Sequence, residues 1–243
     1  MCRLNFHNVK LSIIMPMYNA RDIQKNVQEA EKNIAMLRMP YEIIVVDDGS
    51  TNGCFEEAMK LSGRNIKVVG YQQNQGKGNA IKYGFSYASG EYVGFVDSGR
   101  DINPYQLGHF LKIMRDSSAD IVMGSKRHPE SSVHYPISRR LMSRTYQAIN
   151  HFLFNLNVQD TQVGLKLFKH SILKKVFLKI AVKRFAFDLE LLVIARKMRA
   201  RIIEAPVTIR YKFGSTINLK SVFQVMLDTA AIFYRDRIMH YYD

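Results

Sequence analysis

Three clusters in this 243-residue chain carry residue types suited to chemistry. Asp47 and Asp48 end the β-branched run 42–46 (EIIVV) and precede Gly49 and Ser50. Two adjacent carboxylates at the end of a buried run are costly unless they meet hydrogen-bond donors or cations. A base N–H or a ribose hydroxyl is such a donor. Asp-Gly-Ser is equally a good turn, and spacing alone leaves both readings open. The second cluster, Asn74-Gln75-Gly76-Lys77-Gly78-Asn79, opens a predicted helix. Its glycines permit close backbone approach, a helix N-terminus favours an anion, and Lys77 is long enough to reach a phosphate. It lacks the glycine–lysine spacing and the following Ser or Thr of a P-loop, and a plain loop leading into a helix fits it as well. The third is Asp97, which ends the run 92–96 (YVGFV), with Asp101 four residues on. Carboxylates at a strand end suit a hard divalent cation that also binds a diphosphate, and Mg2+ needs only one or two of them. As caps of a turn and of the helix beyond Pro104 they would need no metal.

The elements that must position these residues are legible as alternation. Apolar runs at 11–15, 42–46, 66–69, 92–96 and 120–123 read as strands, and helical spacing fills 22–37, 77–88 and 105–115. Continuous apolar strands separated by helices predict an α/β fold with a mostly parallel sheet covered on both faces. Residues 16–19, 47–50 and 97–101 then fall at the carboxyl ends of strands, where open α/β sheets bind ligands. Further on, 138–155 reads as an amphipathic helix with arginines at its start. A turn leads into a strand over 160–168, followed by a helix over 187–197. A strand region over 202–211 is interrupted by Pro206, and a last amphipathic helix covers 219–234.

Composition narrows the class. An apolar fraction of 47% allows a sizeable core, and no stretch reaches the roughly 18 apolar residues of a membrane span. Residues 1–10 lack the apolar run of a signal peptide, so a cytoplasmic location is expected. Cys2 and Cys54 show no metal-ligand spacing and are expected to be reduced thiols. A net charge of +14 favours polyanionic partners, whether nucleic acid, anionic lipid or phosphorylated substrates. Carboxylates at three strand ends would repel a phosphate backbone, which argues against nucleic acid.

In combination the motifs are specific. Pro16-x-Tyr18-Asn19, VVDDGS at 45–50, NQGKGNA at 74–80 and FVDSGRD at 95–101 resemble the family 2 glycosyltransferases, which have the GT-A, Rossmann-like fold. GSKR at 124–127, DTQVGLKLF at 160–168 and FAFDLELL at 185–192 are similar to the dolichyl-phosphate glucose and mannose synthases and their bacterial polyprenyl-phosphate relatives. The resemblance implies a GT-A domain over 1–211 and a C-terminal amphipathic extension over 212–243. It implies a nucleoside pocket lined by Pro16, Tyr18, Asn19, Asp47 and Asp48, with Gly76 and Lys77 on the donor. Asp97 would face the diphosphate and its Mg2+ or Mn2+, and Lys126 would meet an acceptor phosphate. Gln162 and Asp188 match positions near the sugar or acceptor. Arg139, Arg140 and Arg144 are further candidates for the acceptor phosphate. The family's usual Asp-x-Asp is Asp97-Ser98-Gly99 here, so either Asp97 shares the metal with Asp101, or metal affinity is weak, or the enzyme is degenerate and inactive; the first is the expectation.

The implied reaction is an inverting, in-line transfer of a hexose from a nucleotide sugar to a polyprenyl phosphate. UDP-glucose is the first choice of donor and GDP-mannose the second. A phosphate acceptor arrives as an anion and needs no strong general base. The two amphipathic helices, flanked by Arg139, Arg140, Arg144, Arg235 and Arg237, suit a membrane interface, which predicts a peripheral protein on the cytoplasmic face. Packing on the core or in a homo-oligomer would use the same faces. Two rival readings are a transferase acting on a sugar hydroxyl, with Asp188 or Asp160 as base, and a non-catalytic nucleotide-sugar binder.

Overall fold

The computed structural model describes residues 10–99, 101–133, 137–184, 186–209 and 219–243, without the side chains of 137–142 and 219–221. In the first half, strands and helices alternate: β1 (Leu11–Met17), α1 (Ile23–Ala35), β2 (Tyr41–Asp48), α2 (Cys54–Met59), β3 (Ile66–Tyr71), α3 (Lys77–Phe85) and β4 (Tyr92–Phe95). A 3-10 turn (Pro104–Gln106) leads into α4 (Leu107–Ser117) and β5 (Ile121–Ser125). The second half holds β6 (Ser132–Val133), α5 (Ile137–Phe154), β7 (Lys166–Lys169), α6 (His170–Lys179), α7 (Phe187–Lys197), β8 (Ile202–Pro206), β9 (Thr208–Ile209) and α8 (Leu219–Phe233). A π-helical turn, Tyr234–Ile238, continues α8.

Seven strands form the main sheet in the order β3-β2-β1-β4-β7-β5-β8, and β6 pairs with β9 in a small second sheet. Every neighbour in the main sheet is parallel except those of β7, which runs against β4 and β5. Lys166, the first residue of β7, therefore lies beside Phe95 and Met123, near the last residues of β4 and β5. The antiparallel insertion brings the segment before β7 to the sheet edge where the parallel strands end. Pro16 does not end β1, which continues to Met17. Pairing of β1 with β4 stops at Ile14–Phe95, so a residue without an N–H is tolerated two positions later.

Both faces of the sheet are covered. Ile13, Met15, Ile43 and Val45 pack with Val27 and Ile34 of α1 and Phe110 and Met114 of α4. Ile14, Ile44 and Val46 face Ala80 and Ile81 of α3, Phe177 of α6 and Leu191 and Ile194 of α7. Burial on both faces is why these strands read as unbroken apolar runs. Cys54 is a free, buried thiol.

α7 is apolar almost all round, and Phe187 to Ala195 are all buried. Its two carboxylates must find partners. Asp188 meets Lys166. Glu190 accepts from the backbone N–H groups of Ala181 and Val182 with one oxygen and from the Tyr242 hydroxyl with the other, which also forms an ion pair with Arg235. The expected boundary at 211/212 falls outside the described residues. Beyond it, α8 sets Phe233 against Phe154, and Arg235 and Tyr242 fasten the C-terminal segment to α7.

Candidate active site

The sheet order reverses at β1, which has β2 on one side and β4 on the other. A cleft of about 550 Å³ opens beyond the carboxyl ends of these strands. Pro16, Met17 and Tyr18 line it from β1, and Asp48 from β2. Asn74, Gly76 and Lys77 line it from the turn into α3, and Asp97, Ser98 and Gly99 from the end of β4. Gln162, Arg184 and Asp188 complete it. Tyr18 is 52% exposed, so its ring presents a free face. Asn19, at φ +46°, ties two strand ends together. Its N–H donates to Ser50 Oγ at 2.9 Å, and its Oδ1 accepts from Thr51 N–H at 2.8 Å.

The two aspartates of β2 divide their tasks. The buried Asp48 carboxylate accepts from the Tyr71 hydroxyl (2.7 Å), the Asn74 amide (2.9 Å), and the N–H groups of Gln75 (2.8 Å) and Gly76 (2.9 Å). It thereby folds the 74–76 loop into the cleft wall. Burial first, and then the Asp48 charge, push the Tyr71 hydroxyl pKa up, so it stays a donor to that carboxylate. Asp47 is buried and does not line the cleft. One of its oxygens accepts from Ser50 N–H at 3.1 Å. The other has no hydrogen-bond partner among the described residues, which costs about 1–3 kcal/mol for a buried acceptor. Gly76 stands at φ +100°, where a Cβ would lie 2.7 Å from Lys183 O, so only glycine fits.

Three lysine–aspartate pairs surround the site. Lys77 Nζ lies 2.5 Å from Asp97 Oδ1, Lys166 Nζ 2.8 Å from Asp188 Oδ1, and Lys126 Nζ 3.4 Å from Asp160 Oδ2. Burial alone would lower the Lys77 pKa; Asp97, with Asp188 behind it, outweighs that and holds it above the ordinary lysine value. Burial would likewise raise the Asp97 pKa, and Lys77, aided by Lys166, holds it below the ordinary carboxylate value. Lys166 is fully buried and also donates to Val163 O at 2.6 Å. Asp160 accepts from the N–H groups of Lys126 and Gln162 as well.

A smaller cavity of about 120 Å³ adjoins the cleft. Asp97, Gly99 and Gln162 border both, while Asp101, Lys126 and Gly164 face the smaller one. The side-chain nitrogen of Gln162, a residue bordering both spaces, is buried without a hydrogen-bond partner among the described residues. A Cβ on Gly164 would lie 2.0 Å from Asp97 Oδ2, so the Asp97 carboxylate rests directly on this glycine. A Cβ on Gly99 would stand 4.0 Å from Asp101 Oδ2. Asp97 and Asp101 both border the smaller cavity. Carboxylates bordering one cavity are the ligand type a hard divalent cation takes, with water and phosphate oxygens completing its shell. No cluster of three His, Cys, Asp or Glu ligands exists among the described residues.

Pro16, Tyr18, Asp48, Gly76, Lys77, Asp97, Gln162 and Asp188 thus share one cleft, with Asp101 and Lys126 in the adjoining cavity. Asn19 and Asp47 stand behind its wall. The side chains of Arg139 and Arg140 lie outside the described residues. Their helix, α5, reaches the site through Gln147, which donates to Thr161 Oγ1 at 3.0 Å, and Arg144 is exposed on it. Three contributors escape the sequence reading: Gly164, Lys166 and Arg184. The first two lie inside the 160–168 motif, and Arg184 stands just before 185–192.

Residues 12–177 match the family described as Glycosyl transferase family 2. The dolichyl-phosphate beta-glucosyltransferase ALG5D of Trichomonas vaginalis is 30% identical, over 93% of this chain and 74% of the relative. The dolichyl-phosphate beta-glucosyltransferase of Dictyostelium discoideum is 28% identical, over 94% of this chain and 75% of its own. Among solved structures, glucosyl-3-phosphoglycerate synthase from Mycobacterium tuberculosis, in complex with UDP, superposes with a TM-score of 0.70. It is 18% identical, over 93% of this chain and 79% of that one, a likeness of fold. The same synthase has been crystallised with Mn2+ and UDP-glucose.

Proposed function

The chain belongs to glycosyl transferase family 2 and is a glycosyltransferase; we propose that it transfers glucose from UDP-glucose to a polyprenyl phosphate, dolichyl or undecaprenyl, at a membrane surface. The names of its relatives support the lipid acceptor and the sugar, and the UDP-bound fold neighbour supports the nucleotide. The observation that carries the reading is the state of the two carboxylates available as a base. Asp188 is paired with a buried lysine and Asp160 with Lys126. Both carboxylates are thus already matched by an ammonium, whereas a phosphate acceptor brings its own nucleophilic oxygen.

On this reading Pro16 and Tyr18 hold the nucleoside against the Asp48-anchored loop. Lys77, Arg184 and the N-terminus of α3 face the diphosphate. A divalent cation, Mg2+ or Mn2+, held by Asp97 and Asp101 would neutralise charge on the leaving diphosphate. Gln162 offers its unpaired N–H to the sugar or the incoming phosphate. Lys126, with Arg139 and Arg140 from the start of α5, attracts the acceptor's negative charge. The acceptor oxygen attacks the anomeric carbon from the side opposite the diphosphate, so configuration inverts. Proximity and charge neutralisation, rather than proton transfer, carry the rate.

Among the described residues no helix is long and apolar enough to cross a membrane. Phe223, Met226, Leu227, Tyr234 and Ile238 lie exposed at helical spacing along α8 and its π-helical turn. That stripe, beside Arg237, supports peripheral contact with lipid on the cytoplasmic face. The decisive experiment offers UDP-glucose labelled in the sugar with undecaprenyl phosphate, dolichyl phosphate or a soluble sugar acceptor. Label in the lipid phase is expected; label only in the soluble sugar would establish the hydroxyl-acceptor reading instead. GDP-mannose in parallel decides the donor. Flotation with anionic liposomes at moderate salt tests the surface, and a protein that stays at the bottom of the gradient removes that part.

A further inference from the structure

Of the three lysine–aspartate pairs at the site, one is built differently. Lys166–Asp188 and Lys126–Asp160 are shut away, with side-chain exposures of 1% and 9%, and of 12% and 1%. Lys77 and Asp97 are 30% and 51% exposed, and both line the cleft. The pair can therefore open into solvent without disturbing the core. Lys77 is the first residue of α3, and its flexible four-carbon stem lets the ammonium swing while the helix stays fixed.

The contact poses a conflict. Asp97 is the carboxylate assigned above to the divalent cation, yet an ammonium already lies 2.5 Å from one of its oxygens. Gly164 closes against the other oxygen, so Asp97 cannot step back from Lys77 on that side. A divalent ion approaching Asp97 would meet a carboxylate already matched by a positive charge. A donor diphosphate changes the balance, because it offers Lys77 more negative charge than one carboxylate does, at the helix N-terminus where the lysine is rooted.

We propose that Lys77 is a resident counter-cation on Asp97 which the donor diphosphate draws away, so that a divalent cation binds well only after the donor has entered. This rests on the nucleotide-sugar reading of the cleft. Lys77 then serves twice: it keeps Asp97 oriented and charge-balanced in the empty enzyme, and it moves to the diphosphate in the loaded one. Binding linkage makes the effect mutual, so metal and nucleotide raise each other's affinity by the same factor.

The test measures Mn2+ bound to the whole chain by the loss of the free-ion electron paramagnetic resonance signal, with and without UDP, correcting for Mn2+ held by free UDP. UDP binding without metal is followed by calorimetry. Wild type should hold Mn2+ weakly alone and roughly five-fold or more tightly with UDP, the size of an exposed ion pair. Lys77→Met should bind Mn2+ alone roughly five-fold more tightly than wild type, and UDP alone more weakly. Lys77→Arg should restore the wild-type pattern, and circular dichroism confirms that each variant is folded. Opposite signs for the two ligands are the signature, since a merely damaged site would lose both. If Lys77→Met leaves the Mn2+ affinity of the UDP-free protein unchanged or lower while wild type binds UDP normally, this proposal falls alone. If wild type binds no UDP, the donor reading falls and takes the proposal with it.

Discussion

Replacing Gly164 with alanine should silence transfer and leave the protein folded. The added Cβ would lie 2.0 Å from Asp97 Oδ2, 2.5 Å from its Cγ and 3.0 Å from Oδ1. Ordinary non-bonded contact is about 3.5 Å, so the carboxylate must retreat by at least about 1 Å. Asp97 is half-exposed, and the cleft offers it room to do so. Gly164 has no positive φ, so alanine adds no backbone strain there. The stability loss should therefore stay near the low end for overpacking, about 1 kcal/mol. Catalysis is less forgiving, because a group displaced by about 1 Å from its working position loses about 100-fold in rate. The measurement pairs initial rates of label transfer with a thermal melt. Gly99→Ala is the control: its nearest neighbour is Asp101 Oδ2 at 4.0 Å, and it should lose far less activity. A Gly164→Ala enzyme that keeps a third or more of the wild-type rate would refute the claim that this glycine seats Asp97.

Lys166→Met leaves Asp188 charged and unpaired inside α7, and should cost about 3–5 kcal/mol in urea unfolding; the double variant Lys166→Met/Asp188→Leu should regain much of it. Asp97→Ala should abolish transfer, while Asp101→Ala should raise the Mn2+ concentration needed for half-maximal rate. A Mn2+ titration left unchanged by Asp101→Ala would dissolve the proposed pairing. Acid sensitivity follows from two carboxylates held below their ordinary range. Burial would raise Asp97 and Asp120, but Lys77 outweighs it at the first, and the Arg201 N–H with Lys169 at the second. Each contributes stability above the unfolded value near 4, and loses it as pH falls through the lower folded value. Melting temperature should thus begin to fall only below about pH 4, and Asp120→Asn should shallow that fall. A steep loss centred near pH 6 would contradict it.

The parallel half of the sheet was legible because strands buried on both faces announce themselves as unbroken apolar runs, each closed by the polar residues that form the cleft. The direction of β7 was not, since an apolar run looks the same from either end. Without that direction nothing places Gly164 against Asp97, although the glycine sits inside a motif the sequence displays. Lys166 was hidden for a related reason: a lysine in a strand reads as solvent-facing until its partner, Asp188, arrives from a helix 22 residues later. α6 starts directly at the end of β7 with no turn residue between them, so pattern alone did not separate the two. Asp48 shows the reverse case. Its place in the cleft was readable, but its four donors belong to β3 and the loop before α3, and only the fold reveals that it shapes the wall.

The lysine–aspartate pairs also determine how ionic strength should act on this enzyme. Together they cancel, so the chain's excess of +14 lies outside them. Screening at about 0.1 M salt reaches exposed charges and leaves buried pairs nearly untouched. Salt should therefore leave the Lys166–Asp188 and Lys126–Asp160 pairs almost unchanged while weakening the exposed Lys77–Asp97 pair and the pull of the remaining arginines and lysines on an anionic acceptor. Ionic strength thus acts on substrate capture and not on the buried scaffold: the Michaelis constant for the acceptor should climb with added salt, while the melting temperature holds comparatively steady.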